Sequence, residues 1–308
     1  MKPLRIGSRG SMLARWQAEF VRKQLFQLTG VEAEIIIIKT SGDKMQQQPL
    51  TQLGGKGIFI KELEEALLEE AIDLAVHSVK DIPTETPGRL QFPAVCRRDD
   101  VRDCLVSHTG TSLANLKQGA RVGTGSLRRQ AQLRHHRPDL DFRELRGNVD
   151  TRLRKVESGE YDAIVLSKAG LDRLGWSQKI TEPISTDISL PAVGQGAIAI
   201  QSRVSDRDAD EILSKLNDDE TRTAIIAERA LLSALQGGCQ VPLGAWARME
   251  RTELVMEAVV CSVDGTQYVR EKATALPDQA AQLGEHLARV LAEGGARAIL
   301  EEVQRARG

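Results

Sequence analysis

The sequence predicts an α/β protein of two lobes followed by a smaller α+β domain, and three observations carry that prediction. Short apolar or β-branched runs alternate with helical stretches in the first third of the chain and again from Arg121. Two segments interrupt this alternation where the chain would cross between lobes: the charged run Arg97 to Asp103, read as a hinge, and Leu190-Pro191-Ala192-Val193-Gly194-Gln195-Gly196. From about Asp218 the order changes to a long helix, then strands, then a final helix. A chain of 308 residues accommodates two domains of ordinary size, or three when each is small. The boundaries expected are residues 1–98 with 197–216, residues 99–196, and residues 217–308.

The elements follow from local pattern. Leu4 to Gly7 is a short strand, Leu13 to Leu28 a helix, and Ala33 to Lys39 a β-branched strand. Lys61 to Ala71, rich in Glu, Leu and Ala, is an amphipathic helix that leads into the strand Ile72 to Ser78. In the second unit Val122 to Thr124 ends a strand, a helix starts at Ser126, and Tyr161 to Leu166 is a buried strand. Ala197 to Gln201 is read as a strand returning to the first lobe. Ala224 to Leu235, Leu254 to Val260 and Ala280 to Glu293 supply helix, strand and helix to the third domain. Strands alternating with helices favour mainly parallel sheets with right-handed crossovers, and two such lobes favour a ligand cleft between them.

Composition excludes several functions. The net charge of -1 and 3% aromatic content argue against a nucleic-acid binder. The longest aliphatic run, Ile35 to Ile38, is far short of a membrane span. The start Met1-Lys2-Pro3-Leu4-Arg5 lacks an apolar signal region, so a cytoplasmic protein is expected. Cys96, Cys104, Cys239 and Cys261 are scattered, without metal-ligand spacing, and read as thiols of a reducing compartment.

Charge is unevenly distributed. Arg121 to Lys155 holds ten basic residues, nine of them Arg, against four acids, an excess of six positive charges. Arg forks bind carboxylates and phosphates bidentately. Arg134, Arg137, Arg143 and Arg154 read equally well as a solvated basic face. Arg128 and Arg129 differ, because they follow Gly123-Thr124-Gly125-Ser126 at a strand-to-helix turn, where N–H groups, hydroxyls and guanidiniums converge on one anion. Gly54-Gly55-Lys56-Gly57 lacks P-loop spacing and is not read as a nucleotide site. His77-Ser78-Val79-Lys80-Asp81 places a cation and a carboxylate at the end of an apolar strand. Asp81 is either a salt-bridged or capping acid, or the partner of a cation that develops during reaction. Gly237-Gly238-Cys239-Gln240-Val241-Pro242 is a loop that exposes a thiol for covalent attachment, or else a turn around a small hydrophobe.

Seven segments in order resemble the porphobilinogen deaminase (hydroxymethylbilane synthase) family: Arg5 to Ser11, Gly54 to Phe59, Ala75 to Pro83, Gly123 to Gln130, Leu145 to Leu153, Leu190 to Ala197, and Gly237 to Pro242. The resemblance implies two periplasmic-binding-protein-like lobes and a smaller third domain. It implies condensation of four porphobilinogen molecules, head to tail, into hydroxymethylbilane with loss of ammonia, in tetrapyrrole (heme) biosynthesis. It implies a dipyrromethane cofactor held by a thioether to Cys239, on which the growing oligopyrrole is built. Asp81 would be the catalytic carboxylate, serving the pyrrole nitrogens as ammonia leaves and an azafulvene cation forms. Ser78, Lys80, Thr124, Ser126, Arg128 and Arg129 would hold the cofactor's acetate and propionate groups. Arg9, Ser11, Arg146 and Arg152 would hold those of the substrate, with Gln17, Lys56, Phe59, Arg173 and Gln195 lining the site. Gln46 to Gly57 is expected to act as a lid, and the protein to be a monomer with no metal, nucleic-acid or membrane partner. Three positions depart from the family pattern: Gln52 where Lys is frequent, Gly125 where Ser is frequent, and Lys168 where a small apolar residue is frequent. A non-catalytic two-lobed binder of small anions would also explain the lobes and arginines, but not Cys239 or the Lys80-Asp81 pair.

Overall fold

The computed structural model describes residues 3–40, 60–235 and 241–305, which form two compact units: residues 1–99 with 196–222, and residues 100–195 with 223–308. The first unit starts with β1 (Leu4–Ser8), α1 (Met12–Thr29), β2 (Ala33–Ile37), α2 (Lys61–Leu68), β3 (Leu74–Ser78) and β4 (Leu90–Val95). Ser11 caps α1 by accepting the Ala14 N–H, and Gly30 closes it at φ 72°, its N–H donated to the Phe26 carbonyl at 2.8 Å. The chain then builds the second unit with β5 (Asp103–Ser107), β6 (Arg121–Gly123), α3 (Leu127–His136), β7 (Asp141–Arg143), α4 (Val149–Glu157), β8 (Ala163–Ser167), α5 (Lys168–Arg173) and β9 (Glu182–Pro183). It returns to the first unit as β10 (Ile198–Arg203) and α6 (Arg207–Ser214).

Each lobe carries a five-stranded sheet, in the orders β2-β1-β3-β10-β4 and β7-β6-β8-β5-β9. In each, four strands run one way and one runs against them. The inverted strands are β10, antiparallel to β3 and β4, and β5, antiparallel to β8 and β9. The expectation of mainly parallel sheets therefore holds for strand direction, but half of the ladders are antiparallel. The reason is common to both lobes: the inverted strand is the one the chain lays down on arriving from the other unit. In the first unit Ile6, Leu74, Val76, Ile198 and Ile200 pack against Ala18, Val21 and Leu25 of α1, while Leu63 and Leu67 of α2 pack with Ile72 and Ala75 on a second core.

The second unit also contains the α+β portion. Helix α7 (Asp219–Ala234) precedes the antiparallel meander β11 (Leu243–Glu250), β12 (Glu253–Cys261) and β13 (Tyr268–Ala275). Helix α8 (Ala280–Leu291) runs through a π-turn at Ala292–Ala296, where Gly295 sits at φ 106°, into α9 (Arg297–Arg305). The sequence pattern ended its last helix at Glu293; the Gly294-Gly295 pair bends the chain there without ending the helical run. Buried Glu228 on α7 accepts the N–H groups of Gly194 at 2.7 Å and Ala247 at 2.9 Å, so one carboxylate fastens the Leu190–Gly196 segment to β11. Three of the cysteines, Cys96, Cys104 and Cys261, are free and buried. Among the described residues no helix is long and apolar enough to cross a membrane.

Gly284 of α8 lies directly on α7: a Cβ there would stand 2.2 Å from the Ala227 carbonyl oxygen and 2.8 Å from the Leu231 nitrogen. Backbone cannot swing away as a side chain can, so Gly284→Ala should destabilise the protein by about 2–3 kcal/mol. Urea denaturation of the two proteins checks this, and an unchanged midpoint would contradict the close approach.

Candidate functional site

In the first unit the site residues gather at the ends of β1 and β3. The turn after β1 presents half-buried Arg9 and delivers Ser11 to the start of α1. One turn and a half further along, Gln17 is buried and donates its Nε2 to the Ser78 hydroxyl at 2.7 Å. That bond ties α1 to the end of β3. There the chain enters a short 3₁₀ turn, Val79–Asp81, which is held by the Val79 N–H on the Ala197 carbonyl at 3.1 Å and the Ile82 N–H on the Val79 carbonyl at 3.1 Å. Val79 is buried, Lys80 half-buried and Asp81 exposed. The turn therefore fixes the backbone of Asp81 while leaving its carboxylate open to solvent.

Beneath this turn runs a polar chain that the sequence did not single out. His77 is buried and meets the Gln201 Oε1 through its Nε2 at 2.9 Å, while Gln201 donates to Glu64 of α2 at 2.9 Å. Burial lowers the His77 imidazole to about 4, against the opposing Gln201 bond, and Arg9 pushes it the same way. Burial raises the Glu64 carboxyl, and the Gln201 bond opposes that rise. His77 is thus neutral at pH 7, and Gln201 joins two groups that burial keeps from ionising readily.

In the second unit the Gly123–Arg129 turn forms as the sequence implies. Ser126 caps α3 by accepting the Arg129 N–H, and Thr124, itself buried, accepts the Ser126 N–H at 3.2 Å. A Cβ on Gly125 would come within 2.8 Å of the Leu145 carbonyl oxygen, so the departure to glycine matches a close backbone approach.

The guanidiniums of Arg128 and Arg129 differ from expectation. They converge on an internal anion, Asp103 at the start of β5. Arg128 donates from Nη1 at 2.7 Å and Nη2 at 3.2 Å, and Arg129 from Nε at 2.9 Å. Ser189 and Gln195 complete the shell at 3.0 and 2.9 Å, so Gln195 is also drawn into this network rather than standing open on a surface. Burial raises the Asp103 carboxyl, but the two guanidinium charges and their hydrogen bonds overcome it and hold the group far below the usual carboxylate range. Burial lowers Arg128 from its ordinary value against the pull of Asp103. The sequence placed Asp103 in a charged linker; the missed signal is a lone acid opening the apolar strand Asp-Cys-Leu-Val-Ser.

The basic stretch as a whole needs the same correction. Each of its ten basic residues has an intramolecular partner. Arg121 pairs with Asp162, Arg137 with Asp139, Arg143 with Asp141, Arg146 with Glu144, Arg154 with Asp150 and Lys155 with Glu160. Arg134 donates to the Val263 carbonyl and Arg152 to the Gly147 carbonyl. Asp103, Asp162 and Glu160 come from outside the stretch and halve its excess of six charges. Arg173 is buried at the end of α5, and Lys168 pairs with Asp172 at 2.6 Å and Asp100 at 3.7 Å. The departure at Lys168 is thereby neutralised locally. Lys56, Phe59, Gln52, the Gln46–Gly57 loop and Cys239 lie outside the described residues.

The donor set suits a ligand rich in carboxylates. In the second unit, hydroxyls and a helix N-terminus adjoin two guanidiniums that share one carboxylate, and the Arg128 Nε is buried without a partner among the described residues. In the first, a single exposed carboxylate follows Lys80. Fold and clusters together define a two-lobed α/β protein with a buried arginine cluster in one unit and an exposed acid beside Lys80 in the other. Comparison with known proteins gives the particular family. The model described as porphobilinogen deaminase, dipyromethane cofactor binding domain, matches residues 4–211, and that for the porphobilinogen deaminase C-terminal domain matches residues 222–293. The porphobilinogen deaminase of Syntrophotalea carbinolica is 50% identical over 298 residues, covering 96% of this chain and 95% of its own. That of Syntrophobacter fumaroxidans is 45% identical over 304 residues, covering 98% of each. Among solved structures, a periplasmic substrate-binding protein of an ABC transporter from Coxiella burnetii is similar with a TM-score of 0.43 at 15% identity, over 69% of this chain and 91% of that one. The methionine binding protein MetQ is similar with a TM-score of 0.43 at 14% identity, over 74% and 93%. The chain belongs to the porphobilinogen deaminase family, enzymes of tetrapyrrole biosynthesis that carry a dipyrromethane cofactor.

The neutral His77 makes stability depend on pH. Unfolded, the imidazole takes up a proton as pH falls through its ordinary 6.5, whereas in the fold it stays neutral down to about 4. Its contribution is fully present above pH 6.5 and is lost between 6.5 and 4, amounting to about 3 kcal/mol. Chemical denaturation across that window should show the loss, and His77→Gln should flatten it. An equally steep decline in the variant would assign the effect to other groups.

Proposed function

We propose that this chain condenses four porphobilinogen molecules head to tail into hydroxymethylbilane, releasing ammonia at each addition, with Asp81 as the catalytic carboxylate and Cys239 as the attachment point of the dipyrromethane primer. The observation that carries this assignment is an exposed carboxylate on a short turn whose first residue is tied to Ala197, within a chain that matches the family over nearly its whole length. Each addition breaks the bond between the substrate's aminomethyl carbon and its nitrogen. It then forms a bond from that carbon to a free pyrrole α-carbon, which gives up its proton. Positive charge builds on the substrate pyrrole as ammonia leaves. A carboxylate held by its backbone stabilises that charge without reorganising, and such preorganised electrostatics commonly supply the largest single part of rate enhancement. The same carboxylate would take the α-proton afterwards.

The primer supplies a free pyrrole carbon on which to build and two carboxylates per ring for the protein to grip. Lys80, Ser78, Thr124, Ser126, Arg128 and Arg129 would hold those carboxylates. The excess positive charge of the Arg128–Arg129–Asp103 cluster and the buried Arg128 Nε, without a partner among the described residues, support that reading. Arg9, Ser11, Arg146 and Arg152 would bind the incoming substrate's acetate and propionate, with Gln17, Lys56, Phe59, Arg173 and Gln195 around them. For Gln17 the hydrogen bond to Ser78 favours a supporting role, and for Gln195 so do its bonds to Asp103 and the Val101 carbonyl. The proposal includes a cytoplasmic monomer that requires no metal, nucleic acid or membrane.

Intact mass tests the attachment. Wild-type protein should carry an adduct of dipyrromethane size that is absent from Cys239→Ser. A wild type that remains unmodified after exposure to porphobilinogen would end the assignment. For Asp81, replacement by Ala should lower kcat by about a hundredfold or more while substrate binding changes little, as expected when a group acts mainly in the transition state. Turnover near wild type would remove Asp81 from the catalytic role.

A further inference from the structure

Asp103 gathers more interactions than any other carboxylate described above, and all of them come from groups around the proposed anion site. Its side chain is fully buried at the start of β5. Arg128 and Arg129, in the first turn of α3, reach it from one direction. Ser189 and Gln195, on the segment that leads out of the lobe, reach it from another. Backbone carbonyls orient the guanidiniums further: Arg128 Nη1 also meets the Leu190 carbonyl at 2.6 Å, and Arg129 Nη1 meets the Val165 carbonyl at 3.1 Å. Asp103 thus fixes the rotamers of both arginines and, through them, the position of the Thr124–Ser126 turn that opens the helix.

The cluster is unbalanced. Two guanidiniums share one carboxylate, which leaves a net positive charge in a buried place, and the Arg128 Nε has no partner among the described residues. An uncompensated interior charge is costly unless an anion joins it. If stability alone were served, a second acid or one fewer arginine would do better.

We infer that Asp103 is a positioning residue for the reaction: it holds Arg128 and Arg129 in the geometry that grips the primer's carboxylates and leaves one charge over for that ligand. The inference rests on the proposed function, and its test separates the two. Asp103→Asn keeps size and removes charge; Asp103→Glu keeps charge and moves it by one methylene. Each is purified as the cell makes it and compared with wild type for far-UV circular dichroism, adduct occupancy by intact mass, and the porphobilinogen KM and kcat of the adduct-bearing fraction. The Asn and Glu variants should both show native dichroism, adduct occupancy below half that of wild type, and KM raised at least tenfold with kcat changed far less. Gly284→Ala, destabilised at a distance from the cluster, should keep wild-type occupancy and KM.

A folded Asp103 variant with wild-type occupancy and KM would overturn the positioning role, whatever its melting temperature. If the loss of charge prevents Asp103→Asn from folding, the Glu variant decides by the same criterion. If neither is recovered, Ser189→Ala decides, since it removes one hydrogen bond to Asp103 and no charge: KM should rise at least threefold, and an unchanged KM would overturn the inference. A wild type without any adduct would refute the proposed function instead.

Discussion

A single buried carboxylate, Asp103, holds two guanidiniums, a serine hydroxyl and a glutamine amide in the second lobe. The pairing is strong because Asp103 is fully buried and because the hydrogen-bond geometry satisfies both carboxylate oxygens. It also joins distant parts of the chain: the strand entered on arrival in the lobe, the helix that follows the Thr124–Ser126 turn, and the segment by which the chain departs. Dispersion and hydrophobic burial give the lobe its density, as the core around Leu105, Val122, Leu133 and Val165 attests, but a greasy core tolerates sliding. A polar cluster of this kind admits one arrangement, and the position of the functional turn is set by it.

The first lobe reaches the same end by different means. There the Val79–Asp81 turn is held by the Gln17–Ser78 bond and the backbone bonds around Val79, with the His77–Gln201–Glu64 chain beneath. Arg9 lies close enough to weigh against a proton on His77, so an uncharged imidazole avoids a second cation beside the Val79–Asp81 turn. The second lobe therefore buries an ionised cluster, whereas the imidazole buried in the first is neutral at pH 7.

Much of this was legible in the sequence. The β1, α1, β2, α2, β3 succession follows from periodicity, and the Ser126 cap and the Gly123–Arg129 turn follow from local chemistry, because all of these depend on neighbours a few residues apart. The motif order identified the family. Three things were not legible, each for a non-local reason. The inverted direction of β5 and β10 depends on where the chain has been, not on its composition. The edge strands β4 and β9 contain proline, and β9 spans only two residues, so no periodic signal marks them. Above all, the arginine-rich stretch looked like an open cationic surface because Asp103 and Asp162, its most consequential partners, lie 25 and 41 residues from the arginines they bind. Charge counted along a sequence sees cations, whereas the fold supplies their anions from elsewhere.

The inverted strand β10 has a consequence for biosynthesis. In the first sheet β4 is joined to the rest only through β10, which lies between it and β3. While a ribosome is still making the second lobe, β1, β2 and β3 can pair, but β4 has no strand to lie against, and β3 presents an open edge. Roughly a hundred residues separate β4 from its partner. The nascent first lobe must wait, incomplete and prone to wrong pairing, until residues 198–203 emerge. Interruption of translation anywhere between these strands leaves a fragment with an unclosed sheet. The sheet begun first is therefore closed only after every strand of the second sheet, β5 to β9, has been made.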